Sequence, residues 1–356
     1  AEKVKVVTNP QAQSRIEGTA VTFESVATGG GTLTYQWYKN TTNSNTGGTL
    51  IEHATAPNYT IDSTTASMSG TYYYCEITQE YRGQTAIVKT NPAMLTVVSK
   101  VTITKNTTAV SSIAGKGNVS FSVTASGAGD LTYQWYYKTS SSGSGVKIDN
   151  ATSSTYTINA GNLTIDLSGR YYYCIVTQKY ESQTQTQTST SALLTLIEPV
   201  EITSQPQNVT VTEGKEVTFT VKAEGLGDLS YQWYKSTENS SSGGEVISNA
   251  TSSSYTIKSA STDMNGTYYY CVVTQKYGTP NQLSYEVTSN PAKLTIGTKV
   301  SVSGPTSVST IENTKDVTFT VNATGEGTFK YQWYKIDSAS GTGDGTGVPE
   351  ATGGTP

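Results

Sequence analysis

The 356 residues include one histidine, three cysteines, three methionines and five phenylalanines, and each shortage removes a class of chemistry. The lone histidine, His53, has no second imidazole to share a zinc ion with, and no acid or nucleophile stands near it in a catalytic pattern. It falls in a loop between strand-like runs, where an incidental structural role is the plain reading. HExxH, a nucleophile elbow, a phosphate-binding loop and paired-cysteine metal motifs are all missing. Charged residues are only 14% of the chain, and 23 Lys and Arg against 27 Asp and Glu give a formal net charge of −4. No basic stripe is present to neutralise a phosphate backbone, which excludes nucleic acid as a partner. No apolar run approaches the ~20 residues of a spanning helix, so direct membrane insertion is not expected. These absences nominate no catalytic residue, no metal ligand and no cofactor, and argue against an enzyme.

What the chain has in abundance is Thr, Ser, Gly and Asn, with 25 tyrosines. Thr and Tyr suit a pleated, half-buried surface, and the scarcity of helix formers argues for an all-β fold. The segment Tyr-Gln-Trp-Tyr recurs at 35–38, 133–136, 231–234 and 331–334, so that Trp37, Trp135, Trp233 and Trp333 are spaced by 98, 98 and 100 residues. A second landmark, Gly-x-Tyr-Tyr-Tyr-Cys-x-x-Thr-Gln, covers 70–79, 169–178 and 266–275. A third is a closing strand, at Met94–Val97, Leu194–Leu196 and Lys293–Ile296. A period near 98 is too long for a solenoid, so each unit is a domain. The units read as modules 1–98, 99–197 and 198–297, with an incomplete fourth over 298–356.

Within one unit, short alternating runs are separated by polar turns: Ala20–Val26, Gly29–Gly31, Leu33–Tyr38, Tyr59–Ile61, the Tyr-rich run and the closing strand. About seven strands in a hundred residues predict two antiparallel sheets packed face to face. The joins at 98–101, 197–200 and 296–300 are a few residues long, which predicts modules set end to end as a rod.

A Trp in the third strand and a Tyr-x-Cys in the sixth resemble the immunoglobulin-like superfamily, and most of all the tandem repeats of large bacterial surface proteins. The resemblance implies a Greek-key sandwich in each unit and says almost nothing of function. It also exposes a departure. Antibody-type domains bridge the sixth-strand Cys to a second-strand Cys, but Ser25, Val123, Val221 and Val321 stand at the matching positions. Cys75, Cys174 and Cys271 are therefore expected to be buried free thiols beside the Trp. The expected structural core is Trp37, Trp135, Trp233, Trp333, Tyr73, Cys75, Tyr172, Cys174, Tyr269 and Cys271. The resemblance further suggests a Lys–Asn isopeptide staple, onto which Lys5 and Asn91 map. Ser191 stands where Asn91 and Asn290 sit, which weighs against it.

Neighbours in a strand face opposite ways. If Tyr73 and Cys75 point inward, Tyr72 and Tyr74 point outward, beside Tyr38 of the third strand. The same trio recurs as Tyr136, Tyr171 and Tyr173, and as Tyr234, Tyr268 and Tyr270. Two readings follow: cross-strand pairs that stabilise a sheet, or an adhesive surface. Asp130, Asp166, Asp228 and Asp263 lie in turns, and turn chemistry accounts for them better than metal binding. Sequons begin at Asn40, Asn58, Asn106, Asn118, Asn150, Asn162, Asn208, Asn239, Asn249, Asn265 and Asn322, and mark glycan acceptors where the source has the machinery.

The fourth unit ends before its Tyr-rich strand. A half sandwich exposes its core, so the expectation is either a longer array or completion by another chain. The leading functional reading is a non-enzymatic, extracellular, cell-surface stalk or adhesin arm, partnered by further modules or other copies of itself. The alternatives are a self-assembling filament or surface-lattice subunit, and a module that binds host or surface glycans through exposed Tyr.

Overall fold

The computed structural model describes residues 2–278, 283–310, 312, 316–325 and 327–334, and the backbone of 335 and 346–347. The chain divides into two compact units, Ala1–Ile197 and Glu198–Pro356. The first unit holds two sandwiches with separate cores, and the second holds one sandwich followed by a sparsely paired segment. Among the described residues the only helical elements are single 3-10 turns such as Ala66–Met68, so the fold is all-β.

The first sandwich is built from β1 (Lys5–Thr8), β2 (Gln13–Ile16), β3 (Val21–Glu24), β4 (Val26–Thr28), β5 (Thr32–Asn40), β6 (Thr49–Leu50), β7 (Asn58–Ile61), β8 (Thr71–Tyr81), β9 (Gln84–Lys89) and β10 (Ala93–Val98). Ten segments replace the seven strands read from the sequence because three strands are each broken once. Asn9-Pro10 lies between β1 and β2, and Asn91-Pro92 between β9 and β10, where proline cannot donate to a ladder. The second sandwich breaks at the same two places without proline, so proline suits these breaks but does not cause them. Ser25 separates β3 from β4, its N–H and hydroxyl both donating to the Pro57 carbonyl.

One layer pairs β1 with β4 and β3 with β7; the other runs β2-β10-β8-β5-β6, with β9 also on β8. The break in the first strand lets the chain change layers. β1 lies antiparallel to β4, whereas β2 crosses to pair in parallel with β10. This is an immunoglobulin-like sandwich, and the second and third repeat it strand for strand.

Period-two burial follows from the residues. In β3, Val21 and Phe23 are buried and Thr22 and Glu24 are not. Thr22 instead pairs its hydroxyl with that of Thr60 on the outer face, as Ser120 does with Thr157 and Thr218 with Thr256. Across the layers, the Phe23 ring stacks on Tyr73 at 4.8 Å, Phe121 on Tyr172 at 4.5 Å and Phe219 on Tyr269 at 4.8 Å.

Candidate functional site

The core anchors sit directly opposite one another. Trp37 pairs in register with Cys75, Trp135 with Cys174 and Trp233 with Cys271, and all six side chains are fully buried. Each indole N–H donates at 2.9 Å to a backbone carbonyl, of Ala56, Ser153 or Ser252. The three cysteines are free thiols. Burial pushes Cys75 and Cys174 up to about 11 and Cys271 to about 12, so they remain protonated and unreactive near neutrality. Tyr73, Tyr172 and Tyr269 are likewise raised to about 12 by burial. Trp333 differs from the other tryptophans in being only half-buried.

A set of side chains to which the sequence reading gave no role completes the core. Gln79, Gln178 and Gln275, the last residue of the Tyr-rich landmark, are buried. Each carboxamide oxygen accepts the N–H of Val4, Val101 or Val200, at 2.9, 2.7 and 2.9 Å. Each amide nitrogen donates to the carbonyl two residues earlier, of Glu2, Ser99 or Glu198, at 2.7, 2.8 and 3.1 Å. It donates again to the loop before the third strand, at Gly30, Ala128 or Leu226. One buried amide thus clasps the segment leading into each sandwich. The signal was present in the alternation: Cys75 and Ile77 point inward, so Gln79 does too, and a polar residue repeated at an inward position needs partners.

The outward tyrosines pair, but they do not form an open patch. Tyr38 stacks on Tyr74 at 5.2 Å and 7°, Tyr136 on Tyr173 at 5.4 Å and 15°, and Tyr234 on Tyr270 at 5.2 Å and 5°. Tyr74 and Tyr270 are 1% and 3% exposed, which corrects their reading as surface residues. The loop between the third strand and β6, or its counterpart, folds over the ring. Gly48 N–H donates to the Tyr74 hydroxyl at 3.3 Å, and Gly244 N–H to that of Tyr270 at 3.0 Å. A Cβ on Gly48 would lie 2.8 Å from that hydroxyl and 2.9 Å from the Lys39 carbonyl, so only glycine fits. Strand alternation gives direction but not what a loop later covers. Tyr38, Tyr72, Tyr136, Tyr171, Tyr173, Tyr234 and Tyr268 are half-buried. Burial raises the ionisation range of Tyr38 and Tyr173, and Lys89, Lys138 and Lys293 lie over Tyr74, Tyr173 and Tyr268 at 5.9, 5.7 and 6.0 Å.

An open polar cleft recurs beside these stacks. It measures about 300 Å³ in the first sandwich, lined by Lys39, Asn40, Thr41, Gly47, Gly48, Thr49 and Thr71. In the third it is about 510 Å³, between Lys235–Glu238 and Ser242–Glu245, with Thr267 on its wall.

Every sequon asparagine except Asn40 is exposed. Asn40 is half-buried, and its amide nitrogen donates to Ser44 and Thr46, so the atom that would carry a glycan is already engaged. Asn106, Asn118, Asn208 and Asn265 each accept a backbone N–H on the carboxamide oxygen. His53 has φ 61°, and its counterparts Asn150 and Asn249 have φ 59° and 62°. All three occupy one left-handed turn position, which favours asparagine. Asp166 and Asp263 lie in the first turns of 3-10 helices, Asp166 pairing with Arg170 at 3.3 Å, and Asp130 and Asp228 open strands. Lys5 pairs with Glu2 at 2.8 Å, and the Asn91 N–H donates to the Asn9 carboxamide. Among the described residues no group of His, Cys, Asp and Glu could hold a metal ion, and no helix is long and apolar enough to cross a membrane.

Residues 199–274 match the family model described as immunoglobulin domain. No curated protein sequence matches the chain. Among solved structures, an I-band fragment of titin is similar at 19% identity, covering 83% of this chain and 99% of that one, with a TM-score of 0.47. Extracellular domains 3–5 of Drosophila OTK are 14% identical over 83% and 98% of the two chains, at 0.34. The N-terminal four Ig domains of Dscam1 are 15% identical over 83% and 73%, at 0.27.

Proposed function

We propose that this chain is a non-enzymatic structural region of an extracellular surface protein, a stalk or adhesin arm of the kind assembled from immunoglobulin-like repeats on bacterial cells. The observation that carries the reading is the buried glutamine clasp. Gln178 grips Ser99 and Val101, and Gln275 grips Glu198 and Val200. The few residues that lead into a sandwich are thereby built into it by desolvated hydrogen bonds. An arm that displays a distant tip needs such short, committed joins rather than free tethers. The proposed module limits remain 1–98, 99–197 and 198–297, with 298–356 as the start of a fourth, and the exposed sequons other than Asn40 are the proposed glycan acceptors. Antibodies raised against the second sandwich test the reading: they should label intact cells that make the protein. Labelling only after permeabilisation would overturn it.

Glycan binding is the second reading, favoured by the polar cleft that recurs at the same place in the first and third sandwiches. A glycan array probed with the whole chain tests it, with binding expected to fall on Lys39→Ala and Thr71→Ala. The filament reading loses part of its surface, because Tyr74 and Tyr270 lie beneath their loops.

A further inference from the structure

The first unit contains a joint that neither the repeat pattern nor the clasp explains. The hairpin linking the Tyr-rich strand Tyr180 to the strand Gln183–Thr188 closes with Tyr180 opposite Gln183. The Gln183 side chain leaves its own sandwich and meets β2 of the first. Its carboxamide oxygen accepts the N–H of Ile16 at 2.9 Å and the Thr19 hydroxyl at 3.1 Å, and its nitrogen donates to the Ser14 carbonyl at 2.8 Å. Ser14 O and Ile16 N–H flank Arg15 on the edge of β2 that faces away from β10. The amide therefore supplies both halves of a ladder rung, as the backbone of a neighbouring strand would.

We propose that Gln183 sets the orientation of the second sandwich against the first by adding one side-chain rung to the free edge of β2. A carboxamide suits this task because it offers a donor and an acceptor on one planar group. Any residue lacking either half leaves a strand-edge group without this partner. The rung itself is to backbone, with the Thr19 hydroxyl beyond β2 as its one side-chain contact, so recognition depends on the edge being free and on the amide at the hairpin tip, not on the side chains of β2. Gln84 occupies the matching position in the first sandwich, opposite Tyr81, and is exposed. Leu283 stands opposite Tyr277 in the third. The joint is a property of the chain wherever it is displayed.

The test is the spread of distances between spin labels on Ser63→Cys and Ser154→Cys in the whole chain. Both sites are exposed, and the three native thiols are buried. With Gln183 intact the distribution should be narrow. Gln183→Ala should widen it at least about twofold with the melting midpoint unchanged, while Gln84→Ala should leave it narrow. Gln183→Glu gives a readout that simple loss of packing would not. An ionised carboxylate can accept from Ile16 but repels the Ser14 carbonyl, whereas a protonated one again donates and accepts. Charged residues carried by the two elements that meet here are Arg15, whose guanidinium also donates to the Ser14 carbonyl at 2.8 Å, Glu17, which follows β2, and Glu181 in the hairpin turn. The glutamate variant should therefore be broad at neutral pH and narrow on acidification. Widths that are equal in the wild type, Gln183→Ala and Gln183→Glu at neutral pH would overturn the proposal, as would a glutamate variant that stays broad when acidified.

Discussion

Two stretches of the second unit carry the same words in different surroundings. Val-Thr-Phe-Thr-Val stands at 217–221 and again at 317–321, and Tyr-Gln-Trp-Tyr-Lys at 231–235 and again at 331–335. In the third sandwich Val217–Thr220 is a strand paired with Ser254–Ile257, Phe219 is 1% exposed and Trp233 is fully buried. In the later copy residues 317–320 form no strand, Phe319 is 51% exposed and Tyr334 is 63% exposed. Identical pentapeptides have identical propensities, so the difference lies in their partners. Phe219 stacks on Tyr269, and Trp233 faces Cys271 in register. Among the described residues no Tyr-rich strand pairs with the segment around Trp333. Propensity proposes a strand here, and the Tyr-rich strand across the core decides whether it forms and is buried.

The sharpest way to break that comparison is to delete the same residue in both places. Trp233→Ala should cost about 3–5 kcal/mol, the range for truncating a buried Trp, and hydrogen exchange across 200–296 should rise sharply. Trp333→Ala should cost far less, and Phe319→Ala should stay within about 0.5 kcal/mol, as for an exposed site. Equal losses from Trp233→Ala and Trp333→Ala in denaturant melts would remove partner identity as the cause.

Gln275 should come next. Gln275→Leu keeps volume but strips partners from the Val200 N–H and from the Glu198 and Leu226 carbonyls. Of these the Val200 N–H is buried, and a buried group left unpaired costs about 1–3 kcal/mol. The Val200 amide should lose its exchange protection in that variant. Unchanged protection would mean that the clasp contributes nothing to holding the lead-in.

How much of this could be read beforehand varies with the kind of interaction. The all-β sandwich in tandem is legible because Trp, Tyr-x-Cys and period-two runs recur with a domain-sized spacing. Gln275 was legible in principle, since counting by twos from Cys271 places it inward beside Val273. The cover over Tyr270 was not, because it depends on a glycine 26 residues away in a polar loop with no periodicity. Nor was the split of the first strand, in which β1 and β2 serve opposite layers. Proline signals a break there but not where the chain goes next. The left-handed turn at His53 hides for a related reason: Asn150 and Asn249 advertise the conformation, and histidine does not.

Alkaline titration offers a subtler contrast. Burial holds Cys271 and Tyr269 up to about 12, above the ordinary ranges near 8.5–9 and 10. Below about pH 7.5 both groups are protonated in folded and unfolded chains alike, and their full contribution to stability is present. As pH rises, the unfolded chain ionises first, so stability should fall from about pH 7.5 and keep falling until the folded values near 12 are passed. Urea midpoints measured across pH 8–12 should show this, and Cys271→Ala should flatten the first part of the decline. A midpoint that rises with pH over this range would contradict the assigned direction.

The smallest effect concerns the loop over the tyrosine stack, and here the later copy serves as the exposed standard. Tyr234 is half-buried against Tyr270, while Tyr334, in the same pentapeptide, is 63% exposed. What closes the face in the third sandwich is Gly244, whose N–H reaches the Tyr270 hydroxyl. An added Cβ there would sit 2.7 Å from the Lys235 carbonyl and 2.8 Å from that hydroxyl. Gly244→Ala should therefore lift the loop rather than disturb the core, at a cost of about 1 kcal/mol for the lost hydrogen bond. The distinguishing readout is chemical. Nitration followed by peptide mapping should find Tyr334 reactive and Tyr270 protected in the wild type. In Gly244→Ala the reactivity of Tyr270 should move toward that of Tyr334, with the melting midpoint of the sandwich lowered only slightly. If Tyr270 stays protected, strand packing alone shields it and the loop is incidental. If it is already as reactive as Tyr334 in the wild type, the tyrosine face is open after all and regains its claim as an adhesive surface.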